Sequence, residues 1–176
     1  MIAIAGGITN PAQLQAFCRS PAADASCKPP PPSPEMRQKT IARLSSDPDF
    51  RQRYGEADKS YRDERVHAVF ALAPGLGPVF TADSLGKISI PVAIVAGSAD
   101  EVVPPASSAE SLAKAIPHTT LKVLEHAGHY VFVSTCTVVG RLLFRAVCGD
   151  PDGIERDAVH AETAGLMLDF FAANLR

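Results

Sequence analysis

Three short, continuous apolar runs place the strongest constraint on how this chain of 176 residues can fold. They are Val66–Ala71, Val92–Val95 and Leu121–Leu124. Unbroken apolar runs of this length are typical of strands that are covered on both faces, as in parallel sheets. Helical patterns at Ala106–Ile116 and Asp157–Asn174 follow the second and third runs. This order predicts an α/β fold in which parallel strands are joined by right-handed crossovers and flanked by helices.

About three parallel strands make only a small sheet. Strands that are apolar on both faces need neighbours at their edges, and nothing else in the sequence reads as further strands. We therefore expect half a sheet, in which Val66–Ala71 presents an unpaired apolar edge. When expressed alone, such a chain is expected to aggregate, dissolve poorly or self-associate by edge pairing.

The first ten residues, MIAIAGGITN, lack the basic start, the long apolar stretch and the cleavage site of a signal peptide. Their small residues and the glycines Gly6 and Gly7 are typical of the end of a helix. The sequence therefore predicts a chain that starts in the middle of a fold. A short helix with an asparagine cap and an early proline is predicted next, from Asn10 to about Phe17.

Residues 18–63 are predicted to form an insertion over the sheet, within a single partial domain that spans residues 1–176. Lys28–Pro34 reads KPPPPSP. This composition is typical of exposed polyproline II and serves either as a rigid spacer or as a recognition motif. Glu35–Leu44 is predicted to be an amphipathic helix, and SSDPDF, residues 45–50, to start another short one.

The charge of the chain is close to balance, which argues against a macromolecular partner. The 17 basic and 19 acidic residues are spread along the sequence and give a net charge of −2. Nucleic acid or an anionic membrane would require a basic stripe, and no apolar run is long enough to span a bilayer. The sequence therefore predicts neither a nucleic-acid nor a membrane partner.

The four cysteines fall into two local pairs, Cys18 with Cys27 and Cys136 with Cys148. No C-x-x-C occurs, so neither a zinc knuckle nor a redox dithiol is expected. Two disulfides and four reduced thiols are both compatible with the sequence, because spacing alone cannot show whether the Cβ atoms meet.

Two of the apolar runs each end in a loop that holds one ionisable residue. Asp100 follows the run in PVAIVAGSADEVVPP, and His129 follows the run in TTLKVLEHAGHYVF. Because active sites gather at the carboxyl ends of parallel strands, neighbouring strands would place these two side chains together. A carboxylate there can accept the ring N–H of His129 and stabilise the imidazolium that forms when the ring takes a proton. We therefore predict Asp100 and His129 as the acid and the base of a catalytic site.

The residues around this pair support the prediction. Gly97 and Gly128 are expected to let the chain turn sharply where each strand ends. Pro104 and Pro105 are expected to block an early helix after Asp100.

His126, three residues before His129, is the alternative base. It directly follows the strand and lacks a preceding glycine to aim its side chain into the site. His67, His118 and His160 are predicted to be strand-edge, loop and helix-surface residues.

Four segments carry a resemblance to a known family. They are the strand-G-x-x-D-x-x-x-P segment around Asp100, H-A-G-H-Y-x-F around His129, A-L-A-P-G-L-G at Ala71–Gly77, and the final helix. Together they resemble the predicted dienelactone hydrolase branch of the α/β-hydrolase superfamily, over essentially the whole chain. The resemblance implies the C-terminal part of an α/β-hydrolase fold, with Asp100 as triad acid and His129 as general base. It also implies a small-molecule ester or lactone substrate and no cofactor. The cysteines and the Pro-containing insert resemble those of secreted or periplasmic members.

The nucleophile of that family is missing from the sequence. In the family it lies on a G-x-S-x-G elbow, a tight turn between strand and helix that also supplies an oxyanion-hole N–H. Neither G-x-S-x-G nor G-x-C-x-G occurs here, since Ser98 lies in A-G-S-A-D and Ser84 in a helix-like segment. Acyl-enzyme chemistry has no first step without a nucleophile. The sequence thus predicts the acid and base of an ester hydrolase, with an inactive fragment or binding remnant of the same fold as the alternative.

Overall fold

A parallel sheet of three strands forms the centre of this computed structural model, which describes residues 1–28 and 33–175. The strands are β1 (Val69–Leu72), β2 (Val92–Gly97) and β3 (Thr119–Leu124), side by side in that order. Val92, in the middle strand, lies opposite Val69 on one side and Thr119 on the other. The predicted α/β class with three parallel strands and flanking helices is confirmed.

The strand bounds differ from the apolar runs at the polar ends. β1 begins only at Val69, and the N–H of Val66, at the start of the predicted run, bonds the carbonyl of Asp63 in a turn. β3 includes two threonines before its apolar part, and most of its residues are exposed or half-buried. Cover on both faces therefore holds for β2 but not for β3, where Lys122 instead forms an ion pair with Glu162.

Helices flank the sheet and precede it. In the described residues they are α1 (Pro11–Cys18), α2 (Pro34–Ser46), α3 (Pro48–Tyr54), α4 (Ala82–Leu85), α5 (Ala109–Ala115), α6 (Val138–Leu143), α7 (Arg145–Cys148) and α8 (Arg156–Asn174). The predicted cap of α1 is present, since the Asn10 side chain accepts the N–H groups of Ala12 and Gln13. None of these helices is both long and apolar enough to cross a bilayer.

Each face of the sheet carries its own hydrophobic core, because successive side chains of a strand point to opposite faces. On one face, α5 and the N-terminal turns cover Val69, Val92 and Ile94. On the other face, Val95 and Leu124 pack with Val131 and with apolar residues of α8. The two layers hold β2 in a fully buried position, so the loop that follows β2 starts from a rigid strand.

Residues 18–63 contribute little to these cores, whereas Ile2 and Ala5 at the start of the chain belong to the first one. The helix end predicted at the start of the chain is a series of turns, with Gly6 at a positive φ of 120°. In the described part of residues 18–63 no residue is buried, and α2 and α3 pack mainly on each other. The four middle prolines of the predicted polyproline stretch, residues 29–32, lie outside the described residues.

Both cysteine pairs form disulfides. Cys18 bonds Cys27 and Cys136 bonds Cys148, with Cα atoms 5.4 Å and 5.7 Å apart. Of the two states that the spacing left open, the structure has the oxidised one.

Candidate active site

Asp100 and His129 lie in contact at the carboxyl ends of neighbouring strands. Asp100 is in the loop after β2, and His129 begins the short 3₁₀ turn that follows β3. The Nδ1 atom of His129 lies 2.8 Å from Oδ2 of Asp100. Because an ionised carboxylate only accepts hydrogen bonds, this geometry assigns the proton to Nδ1 and leaves Nε2 with its lone pair. The structure thus brings together the two residues that the sequence singled out.

The Asp100 carboxylate is buried and held on its other oxygen by the backbone. Its side chain is 1% exposed, whereas that of His129 is 25% exposed. Oδ1 accepts the N–H groups of Val102 at 3.0 Å and Val103 at 2.6 Å. These two bonds close a local turn from the side chain to the backbone, and aspartate is one of the residues that favour such turns. They fix the carboxylate so that Oδ2 is left to face the imidazole.

The two loops are also bonded to each other directly. The N–H of Ala99 donates to the carbonyl of Ala127 at 3.0 Å. The hydroxyl of Ser98 accepts the N–H of His126 at 2.8 Å and lies 3.2 Å from the Glu125 carboxylate. The relative position of Asp100 and His129 therefore depends on bonds between loops that are remote in sequence. Ser98 has this role although the sequence pointed to it only as a rejected nucleophile.

The glycines at the strand ends act differently from the prediction. Gly97 is the last residue of β2 and does not have a positive φ. A Cβ there would overlap the backbone carbonyl of Ala127, so Gly97 permits close approach of the two loops instead of a sharp turn. Gly128 has φ −91° and ψ 177°, an extended conformation open to any residue. The residue that turns the chain after β3 is His126, at a φ of 60°.

The other histidines lie apart from this pair. His126 is exposed, and its backbone N–H donates to Ser98 in the Asp100 loop. His67 and His118 are exposed as well. His160 is not the solvated surface residue that its place on α8 suggested. It is half-buried, and its Nε2 lies 2.8 Å from the carbonyl of Val131. The bond ties α8 to the turn that carries His129.

A cavity of about 420 Å³ adjoins the pair. Its lining includes His129, Tyr130, Val102, Ala146 and Pro151. The Tyr130 ring stands edge-on to the imidazole, with ring centroids 5.1 Å apart. Two acidic residues, Glu101 and Asp150, also line this space, so it combines apolar side chains with carboxylates and the imidazole.

A buried arginine holds the segment that follows the His129 turn. Arg156 is 6% exposed and makes two hydrogen bonds to the carboxylate of Asp150, at 2.8 and 2.9 Å. It also donates to the carbonyls of Ser134 and Val147, one near each cysteine of the second disulfide. No sequence signal distinguishes Arg156 from other arginines that open helices, because its partners are set by the fold. Within the described residues, no group of three or more His, Cys, Asp or Glu side chains is placed to hold a metal ion.

Comparison with solved structures finds, among others, three proteins described as hydrolases. A predicted CIB-like hydrolase from Thermoplasma acidophilum is 25% identical, with a TM-score of 0.35 over 55% of this chain and 38% of its own. A meta-cleavage product hydrolase from Pseudomonas fluorescens IP01 is 15% identical, with a TM-score of 0.35, and the match covers 80% of this chain and 34% of that structure. The 2-hydroxy-6-oxo-6-phenylhexa-2,4-dienoate hydrolase from Rhodococcus sp. strain RHA1 is 23% identical, with a TM-score of 0.30, and the match covers 64% of this chain and 37% of that structure. The chain thus spans 34% to 38% of the length of these three structures.

Comparison with curated proteins finds no match. Comparison with protein families, in contrast, gives a match along most of the chain. The family described as serine aminopeptidase, S33, matches residues 11–135, a range that includes all three strands together with Asp100 and His129. The three parallel strands and flanking helices agree with the predicted partial α/β-hydrolase fold. Because the match covers more than half of the chain, the chain belongs to the serine aminopeptidase S33 family and with it to the α/β-hydrolase superfamily.

Proposed function

We propose that this chain supplies the acid and the base of a serine-type carboxylic-ester hydrolase. The observation that carries the proposal is the 2.8 Å contact between Nδ1 of His129 and Oδ2 of the buried Asp100. In this arrangement His129 is the general base, and Asp100 orients the ring and stabilises its protonated form.

The proposed reaction follows the usual order of acyl transfer. Nε2 of His129 takes the proton of a serine hydroxyl as the serine oxygen attacks the ester carbonyl. The imidazolium then gives that proton to the leaving alcohol, and an acyl-enzyme remains. Water, deprotonated by the same ring, attacks the acyl-enzyme, and the ring returns that proton to the serine oxygen as the bond between the serine and the acyl group breaks and the acid leaves. Asp100 stays ionised throughout, because its charge is what favours the imidazolium.

The serine comes from outside these 176 residues, which contain no G-x-S-x-G. Among the residues that the structure describes, β1 pairs with β2 alone, and its other, free edge supports this part of the proposal. The N–H groups of Val69 and Ala73 bond the carbonyls of Pro91 and Val95, on the β2 side. Since backbone groups alternate in direction along a strand, those of Phe70 and Leu72 point to the free edge. A further strand that ends in a nucleophile elbow can pair there.

The substrate class rests on the resemblance to the predicted dienelactone hydrolase branch. Asp100 and His129 stand at the positions that match the acid and base motifs of that branch. The proposed substrate is therefore a small carboxylic ester or lactone, and hydrolysis of either needs no cofactor.

The second candidate function is a non-catalytic remnant of the fold that binds small molecules in the cavity beside His129. The observation that favours it is the absence of an elbow sequence from the chain. The two proposals differ in one respect that can be measured, since a remnant shows no ester turnover in any form of the chain.

The test compares the purified 176-residue chain with the product of the reading frame extended upstream to include any strand that ends in G-x-S-x-G. We expect the chain alone not to turn over p-nitrophenyl acetate. We expect the extended product to do so and to lose activity with a serine-directed phosphonate. The substitution His129→Gln should abolish turnover in the extended product, whereas His126→Gln, three residues away and exposed, should leave it. An upstream region without an elbow, or turnover that survives His129→Gln, would contradict the proposal.

A further inference from the structure

One side of the cavity beside His129 is formed by the residues that follow α7. Gly149, Asp150 and Pro151 line the cavity there, and we call these three residues the cavity wall. Gly149 and Asp150 also line a second, polar cleft of about 460 Å³, which contains Arg156. The cavity wall therefore separates the space in front of the imidazole from the cleft of the arginine.

The cavity wall lies against the loop that carries the base. Pro151 approaches Gly128, the residue before His129, so closely that a Cβ on Gly128 would stand 4.0 Å from Cδ of Pro151. α7 likewise contacts the 3₁₀ turn that begins at His129. Beside this wall the His129 side chain is 25% exposed. A movement of the wall would therefore change how far the imidazole is open to small molecules.

Apolar packing contributes little to the position of the wall. Gly149 and Pro151 are exposed, and neither α6 nor α7 contains a buried residue. The second disulfide fixes Cys148, directly before the wall. The N–H of Gly149 bonds the carbonyl of Arg145, within the same short segment. A bond that ties the wall itself to the body of the protein has to come from another element.

Arg156, the first residue of α8, supplies that bond. Its Nε and Nη2 atoms donate to the two carboxylate oxygens of Asp150, at 2.9 and 2.8 Å. Only 5% of the Arg156 side chain and 17% of the Asp150 side chain are exposed, and α8 packs on the sheet through Val159 and Leu166. Loss of one partner of a buried ion pair leaves the other charge uncompensated, which favours its movement toward water. For Asp150, such a movement would carry the wall away from the loop of the base.

We propose that Arg156 is a positioning residue of the candidate active site and that it acts on His129 through Asp150 and the cavity wall. While the pair is formed, the wall stays against the loop of the base and limits access to the imidazole on that side. The carbonyls that Arg156 also binds, those of Ser134 and Val147, lie outside the wall. The inference rests on the proposed function only in that it takes His129 as the base. An upstream region without an elbow would end the ester proposal but leave the position of the wall measurable on the 176-residue chain.

The test is the rate at which diethyl pyrocarbonate modifies His129 in the oxidised 176-residue chain, read by peptide mass spectrometry. The reagent acylates an unprotonated ring nitrogen, so the rate reports access to the imidazole. We expect Arg156→Gln to raise the rate about threefold, because the released Asp150 carboxylate moves the wall. Asp150→Asn, which keeps the shape of the side chain but removes its charge, should raise the rate less. Arg156→Lys should restore most of the shielding, since its ammonium group can still pair with Asp150 although it lacks the fork that also reaches the two carbonyls.

The matched control is Arg43→Gln, which breaks an exposed pair between an arginine and an aspartate at the end of α2. It should leave the rate at His129 unchanged. His67 and His118 are exposed and are modified in the same sample, so they serve as internal references. Circular dichroism and a thiol assay show whether each variant is folded and oxidised.

Three results would overturn the proposal. The first is a folded, oxidised Arg156→Gln chain whose His129 reacts as slowly as in the unchanged chain. The second is an equal rise at His118, since the whole fold has then loosened. The third is an Arg156→Lys chain as reactive as Arg156→Gln, since the carbonyl bonds and not the pair with Asp150 then hold the wall. If Arg156→Gln does not fold, the comparison of Asp150→Asn with the unchanged chain decides in its place, and an unchanged rate at His129 overturns the proposal.

Discussion

The hydroxyl of Ser98 accepts the backbone N–H of His126 at 2.8 Å and so joins the loop that carries Asp100 to the loop that carries His129. Ser98 lies two residues before the acid, Asp100, and His126 lies three residues before the base, His129. Together with the bond from the N–H of Ala99 to the carbonyl of Ala127, it spans the two strand ends. The contact between Asp100 and His129 is therefore supported by a cross-link between loops and not by either loop alone.

Removal of this hydroxyl should loosen the His129 loop. We expect Ser98→Ala to lower the free energy of unfolding by about 1 kcal/mol, the typical value of one hydrogen bond, and to speed amide exchange at His126. Urea denaturation and hydrogen exchange measure the two effects. Ser45→Ala, on the exposed side of α2, is the control and should leave amide exchange at His126 unchanged. Unchanged exchange at His126 in Ser98→Ala would show that the loops do not depend on this bond.

A side chain at Gly97 should be far more costly. Because a Cβ there overlaps the carbonyl of Ala127, Gly97→Ala must push the two loops apart, and we expect a loss of about 3 kcal/mol in urea denaturation. The matched control is Gly165→Ala, at an open position within α8, which should raise stability by about 0.5–1 kcal/mol. Equal effects of the two substitutions would contradict the packing described for Gly97. Failure of Gly97→Ala to fold, with Gly165→Ala folded, is the stronger form of the same result.

The tautomer of His129 should depend on Asp100. In Asp100→Asn the new amide can still accept the turn N–H groups of Val102 and Val103 through its oxygen, while its NH₂ group faces Nδ1. We therefore expect the proton to move from Nδ1 to Nε2, which leaves the ring unable to act as a base at Nε2. Long-range proton–nitrogen correlation spectra of the 176-residue chain at neutral pH report this change. The spectrum of His126 in the same sample is the internal control, and a His129 ring that keeps Nδ1–H in Asp100→Asn would refute the assignment.

The edge of β1 that has no strand partner in the described part of the chain should make the chain self-associate, as expected from the sequence. Two clefts, of about 490 and 260 Å³, border this edge, and Phe70 and Leu72 line both. We expect a concentration-dependent dimer in sedimentation velocity, and we expect Leu72→Lys to shift it to monomer because a charge at an edge opposes strand pairing. Ile41→Lys, at a more exposed apolar position on α2, should leave the dimer intact. A monodisperse monomer of the unchanged chain at all concentrations would contradict this expectation.

The sequence predicted those parts of the candidate site whose position follows from the order of the strands. Asp100 and His129 could be paired in advance because parallel strands end at the same edge of the sheet, and the apolar runs marked those ends. The disulfides could be drawn as possible pairs but not decided, since the approach of Cys136 and Cys148 depends on how α6 and α7 turn between them.

Other parts of the site depend on contacts between residues far apart in sequence. From the sequence, Ser98 was considered only as a nucleophile and was rejected. In the structure its hydroxyl accepts the backbone N–H of His126, 28 positions away. Arg156 lies directly before the predicted final helix and was not singled out from the sequence, although its carbonyl partners fix the segment around the second disulfide. Gly97 was correctly singled out but for the wrong reason, because the sequence cannot show that Ala127 approaches it.

The placement of the two disulfides bears on how the chain can be recovered from a denatured state. Their cysteines are separated by only 9 and 12 positions, and the strands of the sheet lie between the two pairs. A disulfide between a cysteine of the first pair and a cysteine of the second would enclose all three strands in a much longer loop. Closure of such a loop is less probable in an unfolded chain. Oxidative refolding should therefore favour the native cross-links from the start, without help from a disulfide isomerase.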